Sequence, residues 1–487
     1  MYLTVESVVD RGTFEIPYED TRGTTVFNGK RYTWYEAGNI IAGIPFYILG
    51  KAAAEVLPVP DSLKFLVPRS AVSLTDAFIG AWIALLFLSL CLKFGAPLRY
   101  AVVMALVLIF STFLLPYFKL YLREPLLTLC LLGGFYHLVP EHQNRRSTSS
   151  LIAAGSFIGF GMLTKLAFAM NFIPLLYYLA WDGKGEMRTH LREKLKQVLI
   201  FSMPVFLIGG VGTALYNLVR MGDPFNTGYT GGTAFTTPFY VGAYGLLLSP
   251  GKGVIWFAPI LMLLLPAIRF FRSNHTRETN CIFALFLLNL GLYSLYVVWA
   301  GDGSWGPRYL APLVPLLLLP IVVFMRRATH AMQRAALVLA LAGGLVQLGG
   351  AAIYAGAYLR EIGEFPYQRN FDDPEFLYKS HFVPNYSPVI GHWRMLWRNL
   401  TEHLGGEYPR LQFSNQQTGQ RIPLAEENQE KLLHTLDFWF TYALYAGISS
   451  TLIGGTFISL LLVSGASGLS LYRTIHPAPE GKGVALV

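Results

Sequence analysis

The chain has 487 residues, of which 53% are hydrophobic and only 14% charged, with a mean hydropathy of +0.43. Soluble domains carry about 25% charged residues, so the composition excludes an ordinary soluble enzyme and indicates a polytopic all-α membrane protein. The formal net charge of +9 does not indicate nucleic acid: the basic residues sit in short loops between apolar spans, where they set membrane orientation, and they lack the interleaved aromatics of a nucleic-acid surface.

In chain order, residues 1–71 begin polar and include an apolar stretch at 38–57 broken by Gly, Pro and Lys51. That stretch reads as a helix lying along or dipping into the membrane interface. About eleven spans follow, near 72–92, 101–116, 125–139, 150–165, 166–181, 197–218, 253–271, 281–300, 309–325, 335–358 and 438–463. Most reach the roughly twenty residues that a helix needs to cross a hydrocarbon core. The halves of 150–181 are short and meet at Lys165. No internal repeat is visible. Cys91, Cys130 and Cys281 lie within apolar spans, which argues against a disulfide framework or a zinc site.

Counting charges in the loops orients the spans. Lys93, Arg99, Arg145, Arg146, Lys184, Arg188, Arg192, Lys194 and Lys196 fall on one side, with Arg269, Arg272, Arg277, Arg326, Arg327, Arg334 and a tail over 464–487. By the positive-inside rule this side is cytoplasmic. The outer face then receives 1–71, 117–124, 219–252, 301–308 and 359–437. The last of these holds Trp393, Trp397 and several Tyr and Phe, enough for a small folded outer domain rather than a linker. The remaining divisions are a transmembrane core over 72–358 and a last span over 438–463.

Several strings on the outer side resemble a known group. MYLTVESVVDRGTFEI with GKRYTWYEAGNIIAGIPFYILG, then YLREPLLTL, GMLTKLAFAMNFIPLL, YNLVRMGDPFNTGY, GLLLSPGKGVIWFAPIL and WGPRYLAPLVPLL look like polyprenyl-phosphate-dependent glycosyltransferases of the multi-spanning GT-C fold. Protein O-mannosyltransferases and the aminoarabinose transferase of lipid A are their relatives, and a bacterial branch is the best match. The resemblance covers about residues 1–325. It implies a GT-C-like bundle, an inverting transfer of a sugar from a polyprenyl-phosphate donor to an outer-face acceptor, and a bacterial inner (plasma) membrane with its site facing the periplasm or exterior. In the group the catalytic base is acidic and opens the first outer loop, just after a first span. The matching Asp-Glu position, and that span, are expected immediately upstream of Met1.

The chemistry calls for a carboxylate to take the acceptor's proton and for cations to steady the departing lipid phosphate, whether side chains or a divalent metal ion. Glu6, Asp10 and Asp20 are near the chain start and read as solvated loop carboxylates. Glu36 follows Tyr35 just before the interfacial helix and is a catalytic candidate. Glu124 is the leading one: it opens a span beside Pro125, where a carboxylate also favours the helix dipole, and Arg123 is positioned to pair with it. For the donor phosphate the candidates are Arg308, whose planar fork suits phosphate, Lys165, and Lys252 between two glycines. Lys165 reads as a phosphate ligand or a lysine snorkelling to the interface, Lys252 as a ligand or a turn lysine. Asp302 is a candidate partner of Arg308 or contact to acceptor or sugar. Trp305 and Tyr309 are candidate contacts as well, although aromatic residues at a membrane edge commonly act as interfacial anchors.

His137 and His142 fall toward the inner side, and no His-rich or His-Glu spacing supports zinc; the metal question stays open. The string HWRMLWRNL in 359–437 reads as a short amphipathic helix that caps the site or rests on the membrane. Asn385-Tyr-Ser and Asn399-Leu-Thr are sequons by pattern, expected to arise by chance in a bacterial chain. The expected partners are the lipid-linked donor and membrane lipid, with no nucleic acid. The rival readings are a transporter or flippase of polyprenyl-linked glycans and a non-catalytic homologue. Charges gathered at one face, without the repeated halves of transporters, favour the enzyme.

Overall fold

The computed structural model describes residues 1–17, 23–140, 146–181, 191–228, 234–371, 373–411 and 426–475. Asp20, His142, Arg145, Lys184 and Arg188 lie outside the described residues.

The chain opens with α1 (Tyr2–Arg11), then a hairpin of β1 (Thr24–Phe27) and β2 (Lys30–Thr33) paired antiparallel. Its turn is Asn28–Gly29, both at positive φ, the dipeptide that matches the twist of a tight hairpin. Next come α2 (Ala37–Val56), α3 (Leu66–Lys93), α4 (Leu98–Phe110), α5 (Arg123–Leu138), α6 (Thr148–Thr164) and α7 (Phe172–Ala180). α8 (Leu191–Pro204) runs through a π-helical turn, Val205–Val211, into α9 (Gly212–Met221). Pro204 has no N–H to give to the ladder, which places the irregular turn there.

The second half holds α10 (Phe239–Leu247), α11 (Val254–Phe257), α12 (Leu264–Asn274), α13 (Thr276–Leu295), α14 (Val314–Met325) and α15 (His330–Ala352). Smaller helices follow: α16 (Ala355–Glu361), α17 (Tyr378–Phe382), α18 (Pro388–Leu404), α19 (Glu426–Lys431) and α20 (Trp439–Tyr445). The long α21 (Ser450–Ile475) ends the described chain.

By length and apolar composition, seven helices among the described residues can cross a membrane: Ala37–Val56, Leu66–Lys93, Leu191–Met221, Thr276–Leu295, Arg308–Met325, His330–Ala352 and Ser450–Leu471. Three shorter apolar helices, Leu98–Phe110, Thr148–Thr164 and Leu166–Ala180, accompany them. α5 and α14 are buried along most of their length and form the centre of the bundle. The apolar stretch read as interfacial is a continuous 20-residue helix long enough to cross; it lies along the first half of α3, with Gly50 against Pro68 and Ala71.

Other boundaries move for local reasons. The span expected at 253–271 is broken into α11, a 3₁₀ turn over Pro259–Leu263, and α12, because Pro259 cannot continue a ladder. The last span is α21 rather than 438–463. Gly447, at φ 82, breaks the chain after α20, and α20 packs into the unit before it: Tyr445 Oη bonds His403 and accepts from Leu436 N. That unit has its own core of Ala352, Ile353, Ala357, Tyr358, Met395, Leu396 and Leu436. It therefore begins and ends several residues outside the 359–437 read from the sequence. HWRMLWRNL forms most of α18, and Asn399 is buried there, its amide donating to Leu433 O and Thr435 O.

Basic side chains close one end of the bundle. Lys93 donates to Tyr136 O and Val139 O, Arg146 to Leu138 O, and Arg277 to Tyr178 O. Each thereby caps carbonyls at the C-terminal end of a helix. The first turns of α2 and α5 meet the last turn of α6 at the opposite end.

Candidate functional site

At this second end, among the described residues, four charged side chains make two crossed ion pairs. Glu36 is the residue that opens α2, while Arg123 and Glu124 are the first two residues of α5. A carboxylate at each helix N-terminus is favoured by the helix dipole. Arg123 Nη1 donates to Glu36 Oε2 at 2.6 Å, and Leu166 N donates to Glu36 Oε1 at 3.1 Å. Arg308, at the start of the 3₁₀ turn Arg308–Leu313 that leads into α14, donates through Nε to Glu124 Oε1 at 2.5 Å. Arg123 thus pairs with Glu36, not with its neighbour Glu124 as the sequence suggested. Consecutive residues on a helix point to different sides, and its guanidinium lies over the Tyr35 ring, 4.8 Å from the centroid. Glu36, Glu124 and Arg123 are 5%, 2% and 7% exposed, so the Glu36–Arg123 pair is buried, while the second pair is partly open at Arg308.

Lys165 separates α6 from the 3₁₀ turn Leu166–Asn171 as a single extended residue, φ −157° and ψ 115°. Its ammonium sits 4.2 Å from the Tyr309 ring centroid and 4.7 Å from that of Tyr293. The two rings are stacked, with centroids 4.3 Å apart and an interplanar angle of 8°. Aromatic faces attract a cation and leave its N–H groups free for a further acceptor. Gly38 is the residue that lets α2 reach this point, since a Cβ there would lie 2.8 Å from the Thr164 Cα.

Lys252, Asp302 and Trp305 are placed differently from the sequence reading. The Lys252 ammonium is buried and donates to Asp302 O at 2.9 Å and to Ser304 O. It is spent on the backbone of the loop before Arg308, because the Ser249–Gly253 turn folds directly beneath that loop. Burial pushes it down to about 7, against the opposing pull of Asp302. Asp302 takes a left-handed backbone, φ 58, and no ion pair joins it to Arg308 among the described residues. Its Oδ1 is enclosed without a hydrogen-bond partner, and burial raises its carboxyl above the ordinary range while Arg308 and Lys252 hold it down.

Trp305 is neither an interfacial anchor nor open to a ligand. It is buried, donates to Gln347 Oε1 at 2.9 Å and meets Phe257 edge to face. Tyr309 is the ring beneath Lys165 rather than an anchor. His137 stacks on Phe157, away from this end. Among the described residues no three His, Cys, Asp or Glu side chains are grouped as metal ligands; Glu36 and Glu124 are each committed to an arginine.

Three site residues were not singled out from the sequence. Tyr35 and Tyr293 carry no local signal, since an aromatic residue near a span end is ordinary. Asp76 carried one: it is a carboxylate inside an apolar run, LTDAFIG, and such residues mark function or assembly.

Residues 56–220 match the sequence model of the dolichyl-phosphate-mannose-protein mannosyltransferase family, a stretch that includes Asp76, Glu124 and Lys165. No curated protein matches the chain. The crystal structure of ArnT from Cupriavidus metallidurans bound to undecaprenyl phosphate superposes with a TM-score of 0.46 at 14% identity, over 93% of this chain and 71% of that one. Its apo state gives 0.44 at 13% identity, with the same coverage.

Proposed function

We propose that this chain transfers a sugar from a polyprenyl-phosphate donor to an acceptor at the outer face of the membrane. The observation that carries the reading is Lys165: an ammonium held against a stacked pair of tyrosine rings, with no carboxylate partner among the described residues, beside two carboxylates already neutralised by arginines. Among the described residues, Arg123, Lys165 and Arg308 against Glu36 and Glu124 leave one excess positive charge, which suits a dianionic lipid phosphate left behind by the sugar. The match of residues 56–220 to a mannosyltransferase family supports the same reaction class.

In this reading Lys165 and Arg308 receive the phosphate. As Arg308 turns toward it, Glu124 is freed to face the acceptor and take its proton. The acceptor atom bonds to the anomeric carbon as that carbon's bond to the phosphate oxygen breaks, giving inversion and a free polyprenyl phosphate. The donor enters from the bilayer. The basic end faces the cytoplasm and the site faces the periplasm or exterior, in keeping with the positive-inside rule. Among the described residues a divalent ion would find Glu36 and Glu124, each already paired with an arginine, and in this reading side-chain cations carry the phosphate charge.

The test is release of polyprenyl phosphate from labelled polyprenyl-phosphate sugars by the purified protein in lipid. Arg308→Lys should lose activity by at least tenfold, since one ammonium cannot replace the fork. Glu124→Gln, which keeps a hydrogen-bond acceptor for Arg308, should lose turnover with donor binding retained. Movement of the lipid across vesicles without release of phosphate would overturn the reading.

A further inference from the structure

Asp76 lies on α3 inside a membrane-crossing helix and is fully buried. A lone carboxylate is costly there unless it is paired or functional, and no cation contacts it among the described residues. Its Oδ2 instead accepts from the backbone N–H of Leu122 at 2.7 Å. Leu122 is the residue that opens α5 and has no side-chain cap of its own. Asp76 therefore does from a neighbouring helix what the N3 side chain of a capping box does locally, accepting from the backbone N–H of the N-cap residue. The next two residues are Arg123 and Glu124, which make both ion pairs of the site.

The same short segment is held from α2 as well, where the Tyr121 hydroxyl donates to Asn39 O. Residues 121–124 are thus clamped between α2 and α3 immediately before the site. The second Asp76 oxygen, Oδ1, is enclosed with no hydrogen-bond partner, as is Glu124 Oε2. A carboxylate kept in this setting for a single backbone hydrogen bond points to a geometric task.

We propose that Asp76 is a positioning residue: through Leu122 N it sets the register of the first turn of α5, and so the directions of Arg123 and Glu124. The inference deepens the transfer reading above and rests on it for its catalytic consequence. It does not rest on it for the geometry. A misplacement of about 1 Å in a reacting geometry costs on the order of 10²-fold in rate.

Two measurements on the full-length protein in lipid test it. Amide hydrogen exchange over the peptide containing residues 120–128 should accelerate at least tenfold in Asp76→Ala. It should stay near wild type in Asp76→Asn, whose amide oxygen still accepts from Leu122 N. In the release assay Asp76→Ala should lower kcat by about 10–100-fold with the donor KM within threefold, and Asp76→Asn should restore it. In a Glu124→Gln background the Asp76→Ala loss should largely vanish, because the two act through one segment.

Unchanged exchange in Asp76→Ala, or a rate loss that Asn does not rescue and that multiplies fully with Glu124→Gln, would overturn the assignment. Wild-type protein inactive on every donor would refute the transferase reading alone; the exchange comparison would still decide whether Asp76 holds α5 in place.

Discussion

Each of the three cations proposed from the sequence has a different role once its partners are known. Arg308 faces a carboxylate, Lys165 faces two aromatic rings, and Lys252 faces two carbonyls. Only the first two keep capacity for an anion. Lys252 acts on the loop from Asp302 to Ser304, which leads directly to Arg308. Its burial makes stability depend on pH in a definite sense. With a folded-state pKa of about 7 and an ordinary value near 10.4, the unfolded chain binds more protons between these limits, so stability rises as pH increases through the window. The thermal midpoint in detergent is expected to be higher at pH 9 than at pH 7, and Lys252→Met should shrink that difference. An unchanged difference would mean that the ammonium stays charged in the fold.

Helix contacts explain why particular small residues occur in the spans. In α6, Gly155 and Gly159 sit on the face that meets α8 and the π-helical turn. A Cβ at Gly155 would strike Phe201 O, and one at Gly159 would lie 2.8 Å from Pro204 O. Small residues four apart let helix backbones approach closely in a membrane, where packing replaces the hydrophobic drive. Gly155→Val should therefore destabilise the fold by about 1–3 kcal/mol, seen as a lower thermal midpoint, while Gly465→Val in α21, where no atom lies within 4 Å of an added Cβ, should leave it unchanged. Equal effects at both positions would refute the α6–α8 packing.

One lysine helps tie the C-terminal unit to the site end. Lys119, four residues before Arg123, donates to Ala351 O, Asp437 O and the Asp437 carboxylate. Its loop thus joins α15, the unit over 352–447, and the start of α5. Removing the ion pair with Asp437→Asn should increase proteolytic nicking in that unit, and the double variant Lys119→Asp, Asp437→Lys should partly reverse the effect. A unit as resistant as wild type in Asp437→Asn would show that the clasp carries no stability. A second clasp runs from Ser387 Oγ to Pro250 O at 2.6 Å, which secures the unit to the Lys252 turn.

Composition was enough to establish a membrane-crossing helical chain, because burying a backbone in lipid leaves few solutions. The break at Lys165 was legible for the same reason, as a charge that cannot continue an apolar helix. So was the standing of Glu124 and Arg308 as charges at span mouths. Who pairs with whom was not: Glu36 and Arg123 are 87 positions apart and Arg308 and Glu124 are 184, and no local pattern encodes such distances. The last span, read as 438–463, starts later because Gly447 in a left-handed conformation interrupts the apolar run. Trp305, Lys252 and Asp76 received their roles only from tertiary packing, which determines whether a polar atom near a membrane edge meets solvent, a ligand or a neighbouring backbone.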